Sequence, residues 1–258
     1  MAGSRRNLLV GALVLGGGYS LLRFGPLAAA NLFTEDFAFE PMERPDGFRR
    51  LAGGQSSSGL DPFFGLNSAP DPEDVALLEE VRADVCGALY GETALRDGIV
   101  PIASFSDYNC PFCRVLTLRL GEIEEASRGG VDVAWHELPL LGEASMLAAQ
   151  GALAAKRQDA YVDFHRRLMR APFQTTPEYL EALSDAIGVD HDQLRADMTS
   201  EGVRREIAES SALAKTFRFI GTPALVVGRT VVQGEIDDAT LERLIERERA
   251  DGPIGACA

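Results

Sequence analysis

The chain has 258 residues, 46% of them hydrophobic, and its 25 Lys and Arg stand against 39 Asp and Glu for a net charge of −14. This supports an ordinary buried core, excludes disorder throughout, and argues against nucleic acid or an anionic membrane surface as the main partner. Four cysteines are too few to staple a chain of this length, and Cys110 and Cys113 form a C-x-x-C with no second close pair to complete a zinc site, so redox chemistry comes first.

Residues 1–30 read as a targeting segment. Arg5 and Arg6 precede an uncharged run from Leu8 to Leu22, and Arg23 and Ala28, Ala29 and Ala30 follow it. As a helix the run would reach about 22 Å, short of the roughly 30 Å hydrocarbon core, which suits a cleaved signal better than a permanent span. Ser4-Arg5-Arg6-Asn7-Leu8-Leu9 resembles the twin-arginine export motif, and an uncleaved anchor over residues 8–22 is the alternative. Either way the rest of the chain is expected in an oxidising compartment, the periplasm.

Residues 31–71 read as a coreless tether, because Pro41, Pro45, Pro70, Gly53-Gly54 and Ser56-Ser57-Ser58 interrupt any periodicity. Residues 72–95 read as a helical extension: Val75, Leu78, Val81 and Val85 recur at threes and fours up to about Cys86, giving a face that packs on the main domain or on a second copy. The main domain is expected over residues 96–258. An apolar strand from Ile99 to Phe105 leads to Cys110, and a helix starts at Pro111 and runs to the Gly129-Gly130 break. A second strand, Val131 to His136, completes a βαβ unit. Helical periodicity then fills residues 144–219, in segments Met146 to Lys156, Tyr161 to Met169, Pro177 to Ile187, Gln193 to Met198 and Val203 to Phe217. Strands Ala224 to Val227 and Thr230 to Gln233 turn at Gly228-Arg229, and a helix from Asp238 to about Glu248 closes the α/β chain.

A C-x-x-C where a strand hands over to a helix has a physical logic. Cys110 falls at the N-cap, where unpaired amides and the positive end of the helix dipole stabilise a thiolate. Cys113 lies one turn further in, able to close a disulfide with Cys110 or to attack a mixed disulfide formed there. A static disulfide or half of a metal site is the plainer alternative. Gly221-Thr222-Pro223 opens a later strand, and a cis proline there would present the Thr222 backbone for antiparallel pairing with an extended peptide.

Phe105-Ser106-Asp107-Tyr108-Asn109-Cys110-Pro111-Phe112-Cys113, the Glu137-Leu138-Pro139-Leu140-Leu141-Gly142 turn, Ser145 to Ala155 and Gly221-Thr222-Pro223-Ala224 together resemble the DsbA-like thiol:disulfide oxidoreductases over about residues 99–249. The resemblance implies a thioredoxin fold with an inserted helical subdomain, Cys110 as the exposed nucleophile, Cys113 as the resolving cysteine, Thr222 beside them and Pro223 as the cis-proline. It implies exported substrate proteins with cysteines and a membrane redox partner, with no cofactor, metal or nucleic acid, and it leaves direction and oligomeric state open. One position departs from the family. Where members often carry a buried glutamate six residues before the first cysteine this chain has Ser104, which leaves Glu137 as a weak substitute for proton relay to Cys113.

The other candidates read as ordinary. His136, His165 and His191 lack metal spacing and are expected to be structural, Trp135 to be core or a wall of the substrate groove, and Asp107 and Tyr108 to serve turn and packing. Cys86 and Cys257 are either two free thiols or, preferably in an oxidising compartment, a second, structural disulfide. A rival from another class is a thioredoxin-like module that passes on a soft metal such as Cu(I) through Cys110 and Cys113.

Overall fold

The computed structural model describes residues 37–59 and 71–257, and its elements all belong to one compact unit, residues 39–258. The signal or anchor expected over residues 1–30, and residues 31–36 and 60–70 of the expected tether, lie outside the described residues. Strands β1 (Glu40–Pro41) and β2 (Arg49–Leu51) are followed by helices α1 (Pro72–Ala83) and α2 (Val85–Tyr90). The βαβ unit is β3 (Val100–Ser106), α3 (Pro111–Ala126) and β4 (Val131–Glu137). Five helices form the insertion: α4 (Glu143–Lys156), α5 (Tyr161–Arg170), α6 (Pro177–Ile187), α7 (His191–Met198) and α8 (Glu201–Phe217). Strands β5 (Ala224–Val227) and β6 (Thr230–Gln233) and helix α9 (Asp238–Asp251) complete the order expected for a thioredoxin fold with an inserted helical subdomain.

The strands form one mixed sheet in the order β1-β2-β6-β5-β3-β4, with β3 parallel to β4 and antiparallel to β5. All seven residues of β3 are buried, which is why its sequence reads as a continuous apolar run rather than an alternation. Ala103, Phe105, Ala224, Val226 and Val231 pack with Leu89 of α2 and with Leu213 and Phe217 of α8. Helices α3 and α9 also contact the sheet. A second apolar cluster joins α4, α5 and α6 to Tyr108, Cys110 and Cys113, so the sulfurs sit where the inserted helices meet the thioredoxin core.

Two expectations are corrected. The supposed tether contains β1 and β2, and it buries Phe48 and Leu51; β2 runs parallel to β6, with β1 outside it at the sheet edge. Its arginines masked the strand pattern. Arg49 Nη2 donates to Glu248 Oε1 at 2.5 Å and to Asp251 Oδ2 at 2.8 Å, while Arg229 Nε and Thr230 Oγ1 reach the same buried Glu248 at 3.1 and 2.6 Å. A buried carboxylate satisfied on both oxygens thus ties β2, the β5–β6 turn and α9 together. The second correction concerns the extension, which breaks at Asp84 because that side chain accepts from Gly87 N at 2.8 Å and starts a new helix. The extension packs on its own domain: Val81, Leu89 and Tyr90 are buried, and Arg205 of α8 pairs with Glu80 at 2.6 Å.

Cys86 of α2 and Cys257 are joined by a disulfide, with their Cα atoms 5.4 Å apart across a sequence separation of 171. Closing so long a loop removes chain entropy worth about 5 kcal/mol in the simplest account, and real bridges commonly deliver less. The Cys86→Ser, Cys257→Ser double variant is expected to melt about 10 °C lower while keeping its fold, as followed by circular dichroism. An unchanged melting temperature would show that the bridge adds nothing to stability.

Candidate functional site

Cys110 is the N-cap of α3, and Pro111 takes the first helical position, where a missing N–H costs nothing. The Cys113 amide donates to Cys110 Sγ at 3.2 Å, and the thiol of Cys110 donates to the Thr222 carbonyl at 3.4 Å. Thr222–Pro223 is a cis peptide, and Thr222 is fully buried. Cys113 hydrogen-bonds the Cys110 sulfur most strongly, and Thr222, the Cys113 amide and Ser57 add to it. Together they outweigh burial and bring the Cys110 thiol down to about 6. Burial acts the other way on Cys113, aided by its hydrogen bond to Cys110 and by the charge there, and holds its thiol well above the ordinary range. The arrangement can therefore keep one thiolate and one thiol side by side near neutral pH.

The loop before Cys110 is held by Asp107, which is fully buried. Asp107 Oδ1 accepts from Asn109 N at 2.8 Å and Ser145 Oγ at 2.7 Å, and Oδ2 accepts from Leu140 N at 2.7 Å and Leu141 N at 2.9 Å. One carboxylate thereby joins the redox loop, the turn after β4 and the first turn of α4. Next to it Tyr108 donates to Glu137 Oε1 at 2.6 Å, and Tyr161 donates to the same oxygen at 2.7 Å. Burial first, and then the Glu137 carboxylate, raise both phenols well above their usual range, so both remain donors. The His165 ring lies between these tyrosines and Trp135, with its centroid 4.9 Å from that of the indole.

The structure brings Cys110, Cys113, Thr222 and Pro223 together. The relay expectation receives no such support: the hydrogen bonds of Glu137 go to Tyr108, Tyr161 and His165, and Ser104 Oγ faces Ser106 Oγ at 3.5 Å. His136 stacks on Phe105 with its Nε2 2.9 Å from the Leu89 carbonyl, and burial drives its pKa down to about 4. His191 Nδ1 lies 3.4 Å from Ser184 Oγ, away from the sulfurs. The expectation of an exposed nucleophile is also corrected, since Cys110 is 0% exposed. The reason is a segment that sequence reasoning passed over as linker: Ser57 pairs its backbone with Thr222, the residue that abuts the Cys110 sulfur. Its only signal was the run of small residues that lets two backbones approach closely.

With this geometry in view, the family match and the similar solved structures define the class, a thioredoxin-like oxidoreductase. Residues 101–246 match the DSBA-like thioredoxin domain, and the chain belongs to that family of thiol:disulfide oxidoreductases. It is 32% identical to a thioredoxin-like oxidoreductase from Silicibacter pomeroyi DSS-3, over 64% of this chain and 98% of that one, with a TM-score of 0.59. The catalytic domain of Proteus mirabilis ScsC is 25% identical over 67% of this chain and 98% of its own, with a TM-score of 0.57. Disulfide bond formation protein D of Bacillus subtilis is 22% identical over 163 residues, 59% of this chain and 73% of that protein.

Two predictions follow from the site geometry. Alkylation of Cys110 should titrate with a midpoint near pH 6, and Cys113 should react only at strongly alkaline pH, as read by mass spectrometry across pH 4–10. Because the folded pKa lies below the ordinary thiol value of about 8.5, the Cys110 thiolate stabilises the reduced fold fully above that value, and the contribution is lost as pH falls through about 6. Asp107→Ala strands four donors and should cost about 3–5 kcal/mol in urea unfolding. A cost below 1 kcal/mol would dismiss the clamp.

Proposed function

We propose that the protein is exported and exchanges disulfides with other exported proteins through Cys110 and Cys113. The carrying observation is the Cys110 sulfur at the α3 N-cap, 3.2 Å from the Cys113 amide and 3.4 Å from the Thr222 carbonyl. With the pair oxidised, a substrate thiolate attacks Cys110 Sγ, the bond between the two active-site sulfurs breaks, and Cys113 leaves as a thiolate that takes up a proton. A second substrate thiolate then attacks the substrate sulfur of the mixed disulfide and expels Cys110. The substrate loses two electrons and two protons; the pair takes both electrons and one proton, on Cys113, and the other proton goes to solvent because Cys110 leaves as a thiolate near neutral pH. A thiol whose pKa is about 6 is a good leaving group, and its stability as a thiolate favours the reduced pair, so the chemistry leans toward donating disulfides. A membrane redox partner would then reoxidise the pair.

Thr222 and Pro223 are assigned to the substrate side of the site, where the Thr222 main chain offers antiparallel pairing to an extended peptide. Export is supported by Arg5, Arg6 and the Leu8 to Leu22 run, and by the Cys86–Cys257 disulfide, which suits an oxidising compartment. Among the described residues no helix is long and apolar enough to cross a membrane. The alternative of soft-metal transfer draws no support from the family match or the relatives.

The test is turnover with a reduced, unfolded substrate beside a measurement of the reduction potential of the couple. Cys110→Ser should abolish oxidation of substrate thiols. Offered a substrate that contains a disulfide, Cys113→Ser should accumulate mixed disulfides, because the Cys110 thiolate attacks the substrate disulfide, expels one substrate thiolate and has no second cysteine to release it; the adducts are dithiothreitol-sensitive. Full turnover by Cys110→Ser would overturn the assignment.

A further inference from the structure

After β2 the chain does not leave the sheet. Gly54 N donates to the Glu235 carbonyl at 2.8 Å and Glu235 N returns to the Gln55 carbonyl at 2.8 Å. Ser57 N then donates to the Thr222 carbonyl at 2.7 Å, and Thr222 N donates to the Ser57 carbonyl at 2.8 Å. Contact continues to Gly59, where a Cβ would lie 1.9 Å from the Leu140 carbonyl oxygen. At Gly221 a Cβ would lie 2.5 Å from the Ser57 carbonyl oxygen. Only glycine permits so close an approach at these two points. The path runs from Glu235 past Thr222 to Leu140, across the end of the sheet that carries Cys110.

The Thr222 N–H and C=O are the groups an extended substrate peptide would use, and the one N–H is already engaged by Ser57. Its carbonyl also receives the Cys110 thiol. Ser57 pairs directly opposite Thr222, whose carbonyl lies 3.4 Å from the Cys110 sulfur, and its side chain is among the groups that lower the Cys110 thiol. A serine side chain beside a nucleophilic sulfur has the shape of a substrate cysteine with oxygen in place of sulfur. The flanking residues Gln55, Ser56, Ser58 and Gly59 carry no charge.

We propose that residues 55–59 occupy the substrate-peptide site as an internal competitor, with Ser57 standing where the substrate cysteine sits. The proposal rests on the dithiol reading of Cys110 and Cys113. It also defines the class of substrate the groove takes: an extended, uncharged stretch with small residues around its cysteine, read through its backbone. An incoming peptide must displace the chain's own segment, so apparent affinity is reduced by the fraction of molecules that are closed. The closed form shields Cys110 from thiols and oxidants, and the open form exposes it.

The test traps the contact chemically in the full-length protein carrying Ser57→Cys and Cys113→Ser. Diamide takes two electrons and two protons as the introduced sulfur and Cys110 join, and the linked peptides are identified by mass spectrometry. The expected result is rapid intramolecular closure, at least tenfold faster than for Ser58→Cys in the same background, because successive side chains of an extended segment point to opposite sides. Equal rates at the two positions, no closure, or a covalent dimer through the same sulfurs would each overturn internal occupancy. This readout needs only proximity, so it stands or falls separately from exchange activity, which Cys110→Ser tests. In an otherwise native chain, Gly59→Val should expel the segment, speed alkylation of Cys110 by iodoacetamide at pH 8.5 about tenfold and lower KM for a cysteine peptide with little change in kcat. Unchanged alkylation and KM in a variant with native circular dichroism would overturn the proposal.

Discussion

The amides of the first turn of α3 have no partners within the helix, and the group that answers them is the sulfur of Cys110. Elsewhere in the chain the same need is met by oxygen: Asp71, Thr176, Asp190, Ser200 and Asp237 cap α1, α6, α7, α8 and α9 through carboxylates or hydroxyls. Exchanging oxygen for sulfur keeps the capping geometry and adds a group that ionises near pH 6 and forms covalent bonds. The rest of the site serves to hold that cap in place and to control what reaches it.

Holding it falls to buried carboxylates. Asp107 fastens the loop on the N-terminal side of the cap to the turn after β4 and to α4, and Glu137 fastens Tyr108 to Tyr161. At the far edge of the sheet Glu248 performs a similar task for β2 and α9. A charge taken out of water is costly unless its oxygens are satisfied, and breaking one such set is more damaging than never having built it. Asp107, satisfied on both oxygens, is the one that ties the loop carrying the reactive sulfur to the turn after β4 and to α4.

Controlling access falls to the segments outside the βαβ and ββα units. Strand β2 is anchored by Arg49, which also lies over the Phe39 ring at 3.7 Å, and this anchor delivers residues 53–59 to the Thr222 edge. Cys257, after α9, is tied to Cys86 of α2 by the disulfide.

How much of this was readable in the chain depended on the range over which each signal acts. The C-x-x-C, Pro111 at the helix start, the apolar run of β3 and the 3.6-residue periodicity of the insertion are local, and the order of elements from β3 onward and the pointer to redox chemistry came from them. Arg49 and Arg50 hide β2 because its stability comes from Glu248, 199 residues from Arg49. Glu137, adjacent in sequence to a family-like turn, looked like a relay group, yet packing gives it to two tyrosines. Residues 53–59 read as linker because glycine and serine mark flexibility as readily as close approach. Only the tertiary structure decides between those meanings: it sets the Thr222 backbone opposite Ser57 at hydrogen-bonding distance, and pairing between segments 165 residues apart leaves no periodicity in either one.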